Sequence, residues 1–153
     1  MNASTLKNVT QLTGRALMAA IFLVAGYGKL GAGYAGTQGY MEAMGVPGAL
    51  LPLVVVLELG GGLALLLGWQ TRMAALLLAG FSVVSALIFH ADFSDPMQSI
   101  LFMKNLAMAG GLLFLVAGDT HAWSLDARGG PFVMNTREEI RQAQEDFEQG
   151  RLG

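Results

Sequence analysis

A small set of ionisable and amide side chains lies inside or at the edge of long apolar stretches of this sequence. Polar groups in apolar surroundings are costly unless they are paired, so each of them is a candidate for chemistry. The set comprises Arg15, Lys29, Glu58, Arg72, His90, Lys104 and Asn105. One carboxylate among several cations indicates a site that pairs charges and binds an anion or a carbonyl group.

Glu58 is the sharpest of these candidates. It comes nine residues after Ala49 and ten before Gly68, near the middle of an apolar stretch. A carboxylate at that place is either protonated or paired with a cation. Two interpretations stay open: Glu58 belongs to a functional site, or it forms a buried ion pair or hydrogen bond that orients the helices.

Three cations are predicted to share one side of the protein with Glu58. If the apolar stretches are antiparallel helices, Lys29, His90 and Lys104 all approach the same, outer side. At 1.5 Å per residue, Glu58 should lie about 10–14 Å deeper. This arrangement predicts an outward-opening pocket for an anion or a quinone carbonyl, with Glu58 as its floor. Lys104, about 4–5 Å deeper than Lys29, is predicted to be the principal cation facing Glu58.

Each candidate also has a plain structural interpretation. Lys29 and Lys104 could extend to the lipid headgroups without binding anything else. His90, at the end of an apolar stretch, could be an interfacial hydrogen-bonding residue. Arg15 could anchor its segment at the membrane surface, although it shares a predicted helix face with Lys29 and could point inward. Asn105 is predicted to form a hydrogen bond between helices.

The composition excludes several kinds of chemistry. The chain has no cysteine, which removes disulfides, thiol redox steps and iron–sulfur ligation by this protein. We predict no metal site and no covalently bound cofactor, and we find no nucleotide-binding or metalloprotease motif. The formal net charge is −2, and no basic stretch is dense enough to bind nucleic acid.

Four apolar segments must position these residues. Among 153 residues, 54% are hydrophobic and 13% charged, against about 25% charged in a soluble domain. The segments cover residues 12–30, 49–68, 72–90 and 100–118, and helices of that length cross about 30 Å of hydrocarbon. We therefore predict an all-α antiparallel bundle of four transmembrane helices. Two glycine patches, at residues 60–62 and 110–111, predict that the second and fourth helices touch.

The remaining segments are predicted from turn signals and charge. Residues 31–48 are rich in glycine and are interpreted as a connection. Lysine and arginine are biased towards one side, which places both termini in the cytoplasm. Residues 127–153 are predicted to form a cytoplasmic tail with a short amphipathic helix over residues 135–150. That helix packs on the protein or on a partner, or else the tail is frayed and solvated.

The order and spacing of several short motifs across residues 12–126 resemble the DoxX family of bacterial membrane proteins. The matching motifs are Gly14-Arg15, Gly26-Tyr27-Gly28-Lys29-Leu30, Met44-Gly45-Val46-Pro47, Glu58-Leu59-Gly60-Gly61-Gly62, Gly68 through Thr71-Arg72, His90, Lys104-Asn105-Leu106-Ala107, Gly110-Gly111 and Ser124-Leu125-Asp126. The resemblance implies a four-helix protein of the bacterial inner membrane, comprising residues 1–126. It also implies an association with sulfur- or thiol-linked redox chemistry and with quinone.

Three functions are consistent with these observations. The first is a membrane subunit of a quinone-linked or sulfur- or thiol-linked oxidoreductase system. The second is a non-catalytic membrane anchor or assembly partner for peripheral redox enzymes, with the tail as the docking segment. The third is a carrier of small solutes or lipids, which would require a homo-oligomer because four helices leave little room for a path. The expected partners are the lipid bilayer, a peripheral redox enzyme and further copies of the chain.

Overall fold

The computed structural model describes residues 1–118, 123–128 and 141. Its helices are α1 (Ala3–Gly28), α2 (Ala32–Ala43), α3 (Leu51–Leu67), α4 (Thr71–Phe89) and α5 (Pro96–Ala117), with single 3-10 turns at Gly48–Leu50 and Asp126–Arg128. Four helical segments, namely α1, α3 with its preceding turn, α4 and α5, are long and apolar enough to cross a membrane. The predicted all-α bundle with four membrane-spanning helices is confirmed.

Local capping sets where the spanning helices begin and end. Helix α1 begins nine residues before the predicted start, because the Asn2 side chain accepts a hydrogen bond from Thr5 N and caps a polar extension of the apolar run. Asp95 caps α5 in the same way, with Pro96 in the first turn. Helix α3 ends at Leu67, and its C-cap Gly68 has a φ of 67°, in the left-handed region that favours glycine.

Helix α2 is the main departure from the predicted secondary structure. Residues 31–48 were expected to be a glycine-rich connection, but most of this segment forms a helix that packs on the bundle. Met41 is buried in a cluster with Leu51 and Val55 of α3, and the Tyr40 ring stacks on Phe89 with centroids 5.4 Å apart. This burial outweighs the low intrinsic helix propensity of glycine.

The spanning helices are antiparallel, and each packs on its neighbours. Helix α1 packs closely on α3, α3 on α4 and α4 on α5, while α5 also touches α1. Side chains from all four spans fill one core. We call the two ends of the bundle the Lys29 end, where α1 ends and α3 begins, and the Arg15 end, where α1 begins and α5 ends.

The glycine patches do not lie between α3 and α5, the second and fourth spans, as predicted, but at other helix contacts. An added Cβ on Gly61 would lie 3.0 Å from Leu78 of α4, and one on Gly62 would lie 3.0 Å from Leu23 of α1. Gly111 faces Met18 of α1. The prediction that these glycines bring the second and fourth spans together is therefore wrong. They allow close approach of α3 to α4 and α1, and of α5 to α1.

The orientation of the bundle in the membrane stays a prediction. Because basic residues concentrate at the Arg15 end, we expect both termini in the cytoplasm. Topology reporters fused after Asp126 and within residues 33–45 should report opposite sides of the membrane. The same side for both fusions would contradict the four-span arrangement. The helix predicted over residues 135–150 lies, apart from Arg141, outside the described residues.

Candidate functional site

The Lys29–Glu58 ion pair is the centre of the candidate site. Lys29 Nζ lies 2.8 Å from Glu58 Oε2 and donates a hydrogen bond to Glu58 Oε1 at 3.1 Å. The same ammonium donates to Ala25 O at 3.2 Å. The Glu58 side chain is only 5% exposed, whereas Lys29 keeps 23% of its side chain exposed. The pair is therefore covered on the carboxylate side and open on the lysine side.

A close approach of α1 to α3 makes this pair possible. Glu58 lies on the same buried stripe of α3 as Leu51, Val55 and Leu65, so it faces the bundle. Opposite it stands Gly26 of α1, where an added Cβ would lie 3.1 Å from Glu58 Cβ and 2.8 Å from Leu59 Cγ. The missing side chain lets α1 come close enough for Lys29, one turn further on, to reach the carboxylate.

The prediction that Lys104 is the principal cation facing Glu58 is wrong, because Lys29 occupies that place. The depth estimate assumed that all spans end at the same level. Helix α1 instead ends level with Glu58, which lies seven residues, or about 10 Å, inside the start of α3. Beyond the end of α1, helix α2 packs against the first turns of α3 at the Lys29 end. Lys29 is therefore deeper in the bundle than its position at a helix end indicates.

Lys104 and Asn105 lie on different faces of α5. Asn105 is 8% exposed and lies on the buried face with Ala109 and Leu112. Lys104 is exposed on the other face. Since consecutive residues of a helix are turned by about 100°, burial of Asn105 directs its neighbour away from the bundle. Lys104 thus does not join the Lys29–Glu58 pair.

His90 occupies a separate position at the Lys29 end. It is the C-cap residue of α4, and its Nδ1 lies 2.8 Å from Oε1 of Gln98 at the start of α5. Within the described residues this hydrogen bond joins the α4–α5 turn to α5, and no bond joins His90 to Glu58. The interfacial hydrogen-bonding interpretation therefore describes its contacts better than membership of a shared pocket.

Arg15 is buried at the opposite end of the bundle. Its side chain is 1% exposed, and its Nη2 donates to Trp123 O at 2.9 Å. Fourteen residues separate it from Lys29 along α1, which corresponds to about 21 Å. Arg15 does share the inward face of α1, as its spacing from Lys29 allowed, but it belongs to a second polar cluster.

Asp126 organises this second cluster. Its two carboxylate oxygens accept hydrogen bonds from Gln70 N at 2.8 Å and Thr71 N at 3.0 Å. Helix α4 has no capping side chain of its own, because Gln70 is in the left-handed conformation, so Asp126 caps it from a distance of 55 residues in sequence. Backbone bonds from Leu125 N to Leu67 O and from Asp126 N to Gly68 O hold the segment against the α3–α4 turn.

Sequence reasoning assigned no role to Gly26, Gly68 or Asp126. A signal for Gly26 was present, because a glycine three residues before a lysine leaves room beside that lysine on the same helix face. For Asp126 the signal was the absence of a capping side chain before Thr71. Nothing in the local sequence indicates that Gly68 must leave space for Ser124 and Arg15, whose atoms an added Cβ would strike.

Comparison with known proteins identifies the family. The DoxX family model matches residues 10–91, which is more than half of the chain and includes both Lys29 and Glu58. The chain belongs to the DoxX family. It is similar to the inner membrane protein YqjF of Escherichia coli (strain K12), at 52% identity over 79% of this chain and 92% of the relative. It is also similar to the inner membrane protein YphA of the same strain, at 33% identity over 78% of this chain and 90% of the relative.

These similarities, together with the four apolar helices, make this DoxX-family protein a multi-pass protein of the bacterial inner membrane. A second family model, that of the pirin C-terminal cupin domain, matches residues 106–153. Cupins are jelly rolls of β-strands, whereas residues 106–117 lie in α5. The described part of that match thus contains a long α-helix and, among its described residues, no strand. No solved structure matches the chain.

The chemistry available at the candidate site follows from its donor and acceptor groups. Among the described residues, no group of three histidine, aspartate or glutamate side chains lies close enough together to hold a metal ion. The Lys29 ammonium is a donor and the Glu58 carboxylate is an acceptor. Side by side in an apolar bundle, they can bind a neutral molecule that carries both a carbonyl and a hydroxyl group.

Proposed function

We propose that this DoxX-family protein is a membrane subunit of a quinone-linked oxidoreductase system and that the Lys29–Glu58 pair binds the quinone headgroup. The observation that carries the proposal is the intramembrane ion pair itself, with its covered carboxylate and partly exposed ammonium. Ionisable groups inside membrane spans are costly, and they commonly mark sites for substrates or protons.

The pair complements both redox states of a quinone. The Lys29 ammonium can donate to a quinone carbonyl oxygen, and Glu58 can accept from a quinol hydroxyl. Glu58 Oε2 lies 2.8 Å from the ammonium and is buried, and it accepts no hydrogen bond in good geometry from the described residues, so a quinol hydroxyl would have to displace part of the Lys29 side chain to reach it. Quinones are dissolved in the hydrocarbon, and the exposed lysine side of the pair is the side from which one would enter.

Electrons must come from another protein. The chain has no cysteine, and its described residues hold no cluster of metal ligands, so we assign it no electron carrier of its own. In the proposed system a peripheral partner enzyme oxidises a sulfur or thiol substrate and releases two electrons. The quinone takes up these electrons with two protons and becomes quinol. The DoxX-family subunit binds the headgroup and positions it near the partner.

Bound quinone is the test of this proposal. Protein purified in nanodiscs of native membrane lipid should retain quinone, extracted with solvent and measured by chromatography. We expect Glu58→Gln and Lys29→Met each to reduce the retained amount about tenfold, the equivalent of about 1.4 kcal/mol, because each removes one charge-assisted hydrogen bond. Lys104→Met is the matched control, since it removes a lysine outside the pair. Retention equal in all four proteins, or absent in the wild type, would refute quinone binding at this pair.

A membrane anchor for a peripheral redox protein is the second candidate, and the polar tail over residues 127–153, which follows the last membrane-spanning helix, favours it. Deletion of residues 129–153 separates the two candidates. If the deletion releases a peripheral redox protein from the membrane, and the full-length protein retains no quinone above background, the result would support the anchor and not the quinone subunit.

A further inference from the structure

Lys104 is a cation on the outside of a membrane-spanning helix. It lies eight residues, or about 12 Å, inside the start of α5, and it is exposed. The buried residues of α5 are Asn105, Ala109 and Leu112, so Lys104 is on the side of the helix that faces away from the bundle. Within the part of the chain that the structure describes, it takes part in no hydrogen bond or ion pair.

An open groove surrounds this lysine. The groove has a volume of about 470 Å³, and Lys104 lines it together with Ser99, Ile100, Met103 and Ala107. Ile100 is 63% exposed and Met103 is 61% exposed, so the walls are available to a ligand. Helical side chains lean towards the helix N-terminus, which directs Lys104 towards Ser99 and the Lys29 end. Apart from Lys104 and Ser99, the lining of the groove is apolar.

The nearby carboxylates do not neutralise Lys104. Asp95 caps α5 through a hydrogen bond from Met97 N at 2.9 Å, and Asp92 accepts from Ser94 N in the turn. Glu58 is engaged by Lys29. A lysine surrounded by hydrocarbon is costly without a counter-charge. The occupant of the groove must therefore bring an anionic group for Lys104 and an apolar chain for the walls below it.

We propose that this groove, which we call the α5 groove, binds an anionic phospholipid. The lipid phosphate contacts the Lys104 ammonium near Ser99, and one acyl chain lies along Ile100, Met103 and Ala107. Phosphate oxygens are good acceptors for a lysine ammonium, which acts as a point charge. The site is separate from the Lys29–Glu58 pair, and the inference does not depend on quinone binding.

Native mass spectrometry of the full chain from nanodiscs tests this site. With equal amounts of phosphatidylglycerol and phosphatidylcholine supplied, we expect the wild type to retain phosphatidylglycerol preferentially. Lys104→Met should lower that preference about fivefold, the equivalent of about 1 kcal/mol for one lysine at an anionic lipid. Lys104→Arg should keep the preference.

Two further arms identify the occupant. Ala107→Phe fills the apolar part of the groove and should weaken lipid retention, whereas excess inorganic phosphate should not displace the lipid. Displacement by inorganic phosphate with no effect of Ala107→Phe would overturn the lipid assignment in favour of a free phosphate. A dimer that forms without phosphatidylglycerol and is lost in Lys104→Met would overturn it in favour of a second copy of the chain. Equal lipid preference in the wild type and Lys104→Met would exclude the site.

Discussion

Glu58→Ala is expected to lower the free energy of unfolding of the bundle by about 2–3 kcal/mol, and Glu58→Gln by less. Loss of one partner from a buried ion pair costs about 3–5 kcal/mol because it leaves a buried charge without its counter-charge. We expect a smaller cost here, since Lys29 keeps 23% of its side chain exposed and can partly reach water or headgroups. Glutamine keeps the volume and an acceptor for the ammonium. Equilibrium unfolding in mixed micelles, followed by circular dichroism, measures the difference.

A double-mutant cycle tests which lysine is coupled to Glu58. Combining Glu58→Gln with Lys29→Met should show a coupling energy of about 1 kcal/mol or more, because the two side chains are in contact. The control cycle with Lys104→Met should show almost none, since Lys104 is exposed outside the buried face of α5 and does not contact Glu58. Larger coupling with Lys104 would contradict the arrangement of α1 and α3 described above.

Asp126→Ala is expected to lower the free energy of unfolding by about 3 kcal/mol. It removes two hydrogen bonds from backbone N–H groups to a carboxylate, each worth about 1.5–3 kcal/mol before relaxation. It also removes a negative charge from the start of α4 and from the neighbourhood of buried Arg15. Asp126→Asn keeps one acceptor oxygen and should cost less.

Asp92→Ala is the matched control for Asp126→Ala. Asp92 also accepts a hydrogen bond from a backbone N–H, that of Ser94, but it is exposed in a turn and caps no helix. We expect its replacement to cost less than about 1 kcal/mol in the same unfolding measurement. If Asp126→Ala costs no more than Asp92→Ala, residues 123–128 do not stabilise the α3–α4 turn as the hydrogen bonds indicate.

The ion-pair partner of Glu58 was harder to predict than the positions of the helices. Lys29, Glu58 and Lys104 were all recognised as ionisable groups inside apolar segments, and that recognition needed only composition and spacing. The choice between Lys29 and Lys104 depended on two properties that spacing does not contain. These are the depth at which α1 ends and the rotation of α5 about its axis.

Depth was misjudged because of α2. A glycine-rich segment has low intrinsic helix propensity, so residues 31–48 were predicted to be a non-helical connection. In the folded protein, burial of Met41 and stacking of Tyr40 on Phe89 stabilise a helix there. Helix α2 lies beyond the end of α1 at the Lys29 end, so α1 does not extend to that surface of the bundle. Lys29 therefore lies at the same depth as Glu58, and tertiary packing decides this.

The sequence by itself determined that the protein has four membrane-spanning helices, because apolar length and charge depletion act locally and directly in a bilayer. It also determined its membership of the DoxX family and which ionisable residues require an explanation. Only the tertiary structure decided that Gly26 lets Lys29 reach Glu58, that Asp126 caps α4, and that Lys104 is exposed on the outside of α5. Helix rotation and depth depend on side-chain packing between distant segments, and segments that are apolar on all sides carry little periodic signal to reveal it.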